Sequence, residues 1–244
     1  MVSGLLSLQL WDQTTSANNQ FYFGLPAGSV HLIIRCPNLV YIDKAIATCN
    51  CLLRVDLSAC SRLKRLPDMP FSLCTSLVDV MLPPDLRELG EMSFNGCDSL
   101  KTLNLPDKLE RLENRTFTKC TSLTDVVFTG GDCTTIGHHC FNQCSALRRI
   151  ILPVRLTAIG GKAFVECTSL EEVVFNKNLT KIGEYAFTAT SLKMVTLPDK
   201  LTDLENGVFS HNSSLEVIVF NDSLTSIDRV ASVLHRAQES AAPR

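Results

Sequence analysis

Residues 147–167 read LRRIILPVRLTAIGGKAFVEC, with apolar side chains at Leu147, Ile150, Leu152, Leu156, Ile159, Ala163, Phe164 and Cys167. Neither one helix nor one strand fits that spacing. Ile150-x-Leu152 alternates with the period of a strand, and Pro153, which has no N–H to give a ladder, ends it. Gly160 to Cys167 has room for only a turn or two of helix. One such coil leaves half its apolar surface in water and cannot fold alone. Stacked copies can.

The copies are present on both sides. The first leucine recurs as Leu77, Leu100, Leu123, Leu147, Leu170, Leu192 and Leu215, in steps of 23, 23, 24, 23, 22 and 23 residues. The next inward position reads Val80, Leu103, Val126, Ile150, Val173, Val195, Ile218, and the one after it Leu82, Leu105, Phe128, Leu152, Phe175, Leu197, Phe220. An aromatic closes each coil at Phe94, Phe117, Phe141, Phe164, Phe187 and Phe209. A fixed period of this length, with exchange only among apolar types, is the signature of a solenoid.

Within a coil, the segment carrying Ile150 and Leu152 is expected to form a parallel strand. Leu156 and Ile159, repeated as Leu179/Ile182 and Leu201/Leu204, turn the chain back and suit a second short strand. The next position reads Gly90, Glu113, Gly137, Gly160, Gly183, Glu205 and Asp228. Glu113 and Glu205 show that left-handed backbone is not needed there, and Gly or an acid suits the start of a short helix. The expected fold class is therefore an α/β solenoid of about nine coils, a length of roughly 40 Å at the spacing of adjacent strands.

The chain divides into an N-terminal cap (1–28), irregular repeats (29–76), regular repeats (77–227), and a C-terminal capping helix with its tail (228–244). The cap is expected because an open solenoid end exposes core leucines and unpaired strand edges. Leu6, Leu8 and Leu10, then Phe21-Tyr22-Phe23, suggest a hairpin or two short strands, with Trp11 in the cap's packing. Ile227, Val230, Ala231 and Leu234 share one helical face, with Ser226 as N-cap.

A net charge of −2 with no basic run gives nucleic acid no electrostatic footing. No stretch approaches the ~20 apolar residues that cross a bilayer. The first residues, MVSGLLSLQLWD, lack the basic region of a secretion signal. Of the 11 cysteines, Cys74, Cys97, Cys120, Cys144 and Cys167 all stand three residues before the repeat leucine, where Asn212 stands in a later coil. That exchange marks a packing site for a small, polarisable side chain. Buried free thiols and an odd cysteine count suit a reducing compartment, so a cytoplasmic location is expected, with the cell surface or secretion as the alternative.

The motif CTSLxxVxLPxxLxxIGxxAF, present from Cys167-Thr168-Ser169-Leu170 to Phe187 with Asn176 in place of Pro, resembles the BspA-like class of leucine-rich repeats. The resemblance covers residues 77–227 well and 30–76 loosely. It implies a right-handed, curved solenoid with a parallel sheet on its concave face, which binds other proteins. Several relatives resemble surface adhesins or antigens of host-associated microbes.

Chemistry is scarce. Cys133, His138, His139, Cys140 and Cys144 have spacings that can bind zinc, but the three cysteines occupy interior repeat positions and the two histidines an exposed one. No nucleophile–base pair, phosphate loop or paired carboxylate rises above the repeat background, so no catalytic residue, cofactor or metal is expected. Sequons at Asn114, Asn178, Asn212 and Asn221 bear on the protein only if it is exported.

What remains is surface. The outward residue between the two inward strand positions reads Met81, Asn104, Val127, Ile151, Val174, Thr196, Val219; its outward neighbour two places earlier reads Asp79, Thr102, Asp125, Arg149, Glu172, Met194, Val217. Val127, Ile151 and Val174 thus form an apolar stripe rimmed by Asp125, Arg149 and Glu172. Strand propensity alone accounts for β-branched residues there. A contiguous apolar stripe with a charged rim is also what a protein partner's site looks like. The expectation is a non-catalytic protein-binding module with Val127, Ile151, Val174, Val219, Arg149, Glu172 and Asp125 on its concave face; the alternative is a structural spacer or a fragment of a longer array.

Overall fold

The computed structural model describes residues 7–11, 20–21, 30–42 and 47–228. The chain is a parallel β-solenoid in which strands alternate between two sides of a coil. On one side lie the longer strands, such as Asp79–Met81, Thr102–Leu105, Asp125–Phe128, Arg149–Ile151 and Glu172–Val174. On the other lie two-residue strands, of which Arg65–Leu66 through Lys181–Ile182 form one continuous six-stranded sheet. Every pairing is parallel and joins equivalent positions of consecutive coils: Arg111 faces Thr135, Thr135 faces Ala158, and Arg149 faces Glu172. The repeat register read from the leucines is therefore the register of the ladders.

The interior follows from that register. Leu77, Leu100, Leu123, Leu147, Leu170 and Leu192 have no exposed surface. Phe71, Phe94, Phe117, Phe141, Phe164, Phe187 and Phe209 are equally buried and stack ring on ring, with centroids 5.1 Å apart for Phe141 and Phe164 and 5.0 Å for Phe164 and Phe187. The second inward position is less well covered in places: Phe128 and Phe175 are only partly buried, and Phe220 is 39% exposed.

Three expectations are corrected. First, there is no helix among the described residues; the segment after each short strand is a chain of turns. Only every other N–H bonds along the segment, Val165 to Lys162 C=O and Cys167 to Phe164 C=O, instead of the unbroken ladder a helix requires. Alternate ones cross to the next coil: Lys162 N–H donates to Glu184 C=O, Phe164 to Ala186 and Glu166 to Thr188. Aiming alternate donors in one direction needs left-handed backbone, found at Lys162 (φ 58°) and Glu166 (φ 60°), and in the coil before at His139 and Gln143. Gly160 is not one of these left-handed residues. There the backbones touch, since a Cβ would sit 2.6 Å from the carbonyl carbon of Gly137.

Second, the solenoid has about eight turns rather than nine coils. Third, of the hairpin or two short strands expected in this region, two short strands are present, Ser7–Trp11 and Gln20–Phe21, and they do not pair with each other as in a hairpin. They pair in parallel with His31–Arg35 and Tyr41–Ile42, in the ladders that the later coils use. The packing of Trp11 and most of segment 1–28 lies outside the described residues, as does the capping helix expected over 228–244 beyond Asp228. Ser226 and Ile227, read as that helix's start, form the last strand, paired with Asp203–Leu204.

Candidate protein-binding face

Alternation along the longer strands puts Val126 and Ile150 inside and Val127 and Ile151 outside. Val127 is 47% and Ile151 55% exposed, side by side on successive coils. Val174, opposite Ile151 in the ladder, is half-buried. Val219 is exposed but separated from these three by Thr196, so it stands apart from the cluster. Asp125, Arg149 and Glu172 are exposed beside the stripe, and Arg149 Nε lies 2.9 Å from Glu172 Oε2. Asp125 has no ion-pair partner among the described residues.

Asp125, Val127, Arg149 and Ile151 line one open depression of about 490 Å³. Part of its wall comes from residues that the repeat pattern passes over, Thr129, Gly130, Gly131 and Val154, and the rest from the repeat positions Val126, Phe128 and Leu152 with Pro153. Val154 is 65% exposed. Gly131 keeps the wall open, since a Cβ there would stand 2.9 Å from Val154 Cγ2. The signal for this wall was the departure at 129–133, where TGGDC replaces the Leu-Pro strand exit and the repeat step lengthens to 24. Val174, Glu172 and Val219 lie outside the depression.

The Cys/His cluster points in two directions. Cys133, Cys140 and Cys144 are buried, and burial pushes the Cys133 thiol up to about 12 and Cys140 and Cys144 well above the usual range. His138 turns outward and accepts the Gly161 N–H on Nδ1 at 3.1 Å. Burial, then Arg115, Lys162 and His138, lower the pKa of His139. Among the described residues no three His, Cys, Asp or Glu side chains are grouped to hold a metal ion, and no helix is long and apolar enough to cross a membrane.

The sequon asparagines carry backbone contacts. Asn212 is 2% exposed and donates from Nδ2 to the Phe187 carbonyl at 2.7 Å. Asn221 donates to the Pro198 and Leu201 carbonyls, and Asn178 to Val154 C=O. Asn114 bonds Glu91 through Nδ2 and the His138 N–H through Oδ1.

Comparison with known proteins agrees with this architecture. Residues 42–157 and 134–231 match the BspA type leucine rich repeat region, in six copies. A leucine-rich repeat protein from Bacteroides ovatus superposes with a TM-score of 0.73 at 21% identity, over 91% of this chain and 68% of that one. A leucine rich cell surface protein from Faecalibacterium prausnitzii superposes with a TM-score of 0.50 at 17% identity, over 96% of this chain and 89% of that one. At these identities both show the fold alone. No curated protein matches the chain. With the family motif spanning most of the sequence and its repeat register realised in every ladder, the chain belongs to the BspA type leucine-rich repeat proteins.

Proposed function

We propose that this chain is a non-catalytic protein-binding module whose partner docks on the outward face of the longer strands. Val127, Ile151 and Val174 form its apolar centre, with Asp125, Arg149 and Glu172 at its edge and Val219 farther along. The observation that carries this reading is the half-exposure of Val127 and Ile151 on adjacent coils beside an open depression. Side chains on paired strands are already ordered, so docking loses little conformational entropy. Fully burying a Val or Ile side chain stabilises by about 1.5–3 kcal/mol, so covering half of each is worth about 1 kcal/mol.

The buried thiols do not fix where this happens; of the eleven, Cys51 is exposed and Cys49 half-buried. Cys97, Cys120, Cys144 and Cys167 are shut off from oxidants and held protonated by burial, so they survive in either compartment. The buried thiols therefore give no argument for the expected cytoplasmic location. A cell-surface role, as described for the Faecalibacterium protein, is the reading we adopt.

The test replaces Val127, Ile151 and Val174 by Thr together, which keeps β-branched shape and adds hydroxyls that solvent can satisfy. Proteins captured by the parent chain should bind the triple variant about tenfold or more weakly, a loss of ~1.4 kcal/mol or more. The melting temperature should change little. Unchanged capture would make the stripe a matter of strand propensity and the chain a structural spacer.

A further inference from the structure

We infer that the segment seated in the depression is extended and carries a Lys or Arg two residues from a branched aliphatic or aromatic side chain; the inference rests on the protein-binding reading above. Charge is the first ground. Arg149 and Glu172 neutralise each other at 2.9 Å, and Arg155 does the same for Asp132 at 3.0 Å. Two exposed carboxylates beside the depression have no such cation. One is Asp125; the other is Asp107, which accepts only the Thr129 hydroxyl. The rim is therefore left with uncompensated negative charge next to apolar surface, and Arg149, the cation lining the same depression, is engaged by Glu172.

Spacing is the second ground. Asp125 and Val127 share one face of a strand, so they are separated by about 6.6 Å, twice the rise per residue. An extended segment repeats its own side chains at that same interval on one face. Laid along the strand, it places a basic residue on Asp125 and an apolar one against Val127 and Ile151 at once. Gly131 is the third. Without a Cβ it leaves the wall beside Val154 open to receive the apolar side chain, and the Cβ of an alanine would press on Val154 Cγ2, a side chain that can move without disturbing the coil.

The experiment uses the full chain and dye-labelled peptides Gly-Ser-X-Ser-Z-Ser-Gly, with X as Leu, Phe or Ser and Z as Arg, Gln or Glu, titrated by fluorescence anisotropy. With Leu or Phe at X, the Arg peptide should bind about fivefold or more tightly than the Glu peptide, a preference that shrinks with added salt. Asp125→Asn should erase the preference, Asp125→Arg should reverse it, and Gly131→Ala should weaken binding of the Phe peptide most. No binding by any peptide, or a preference that survives Asp125→Arg, overturns the inference. The two readings separate cleanly in capture experiments. If the Thr triple variant loses partners that Asp125→Arg retains, the binding face stands and the basic segment falls. If the triple variant keeps them, the binding reading itself falls.

Discussion

Cys144 shows what the cysteine position asks for. Its Sγ lies 3.1 Å from the carbonyl of Phe117, one coil back, while its own N–H bonds the Phe141 carbonyl at 3.1 Å. Cys97, Cys120 and Cys167 repeat the contact to Phe71, Phe94 and Phe141. Asn212 fits the same position because its amide donates to Phe187 in place of the thiol. The site thus selects a short side chain with a donor, a stricter demand than packing alone. Buried thiols, at this position and elsewhere in the core, also set a pH limit. Burial raises Cys133 to about 12 and Cys60 and Cys74 to about 11 from the ordinary 9.0, so the folded state resists an ionisation that the unfolded chain undergoes. Above pH 9 the unfolded state therefore binds fewer protons than the folded one, and stability falls as pH rises. Urea midpoints should hold up to about pH 9 and drop steadily between pH 9 and 11; a flat profile through pH 11 would place these thiols in water. Phe164, buried and stacked on both sides, makes a second residue-scale demand. Phe164→Ala should cost about 3–5 kcal/mol in urea unfolding, and a change below about 1 kcal/mol would mean that the ring is not interior.

The element that sequence reasoning missed is the turn segment, and the reason is physical. Ala163, Phe164 and Cys167 are spaced as one face of a helix would space them, and the segment carries no residue that forbids helix. What decides against helix is that its donors have better-placed acceptors one coil away, at Glu184, Ala186 and Thr188 for the coil of Phe164. Only the stacked neighbour supplies those carbonyls, so no local pattern reveals them. The strands were legible because each rests on a local alternation: Ile150 in, Ile151 out, Leu152 in. Lys119 offers a direct test of the turn. It is left-handed at φ 61°, and Gly96 holds the equivalent place one coil earlier at φ 71°. A side chain in that conformation carries about 1–2 kcal/mol of strain that glycine lacks. Lys119→Gly should leave stability unchanged or raise it by up to ~1 kcal/mol, while a β-branched Lys119→Val should lower it. Were the segment helical, Gly would instead cost roughly 0.5–1 kcal/mol, so a loss of that size would overturn the assignment.

On the scale of the whole molecule, half of the candidate site was legible for the same reason as the strands. Val127, Ile151, Asp125 and Arg149 follow from alternation and register, whereas Val154 and the two glycines owe their role to one irregular coil and its contact with the next. Among the described residues the coils are otherwise bound chiefly to their neighbours. Its ladders, its ring stack and its turn bonds each link one coil to the coil beside it. Such an array has stability that sums repeat by repeat, so a weak coil inside it can separate what lies on either side. Phe164→Ala damages two interfaces at once, with Phe141 and with Phe187. On one side remain the stacked rings of Phe71, Phe94, Phe117 and Phe141, and on the other only Phe187 and Phe209. The shorter side has fewer interfaces to share the loss and should open first. Hydrogen exchange of the variant should therefore release the amides of Phe187, Val195 and Leu197 before those of Phe94, Leu103 and Phe117, and its urea transition should broaden or split. In the parent chain the two sets should exchange together. Equal loss of protection on both sides of Phe164 in the variant would mean that the coils unfold as one unit and that coupling reaches well beyond nearest neighbours.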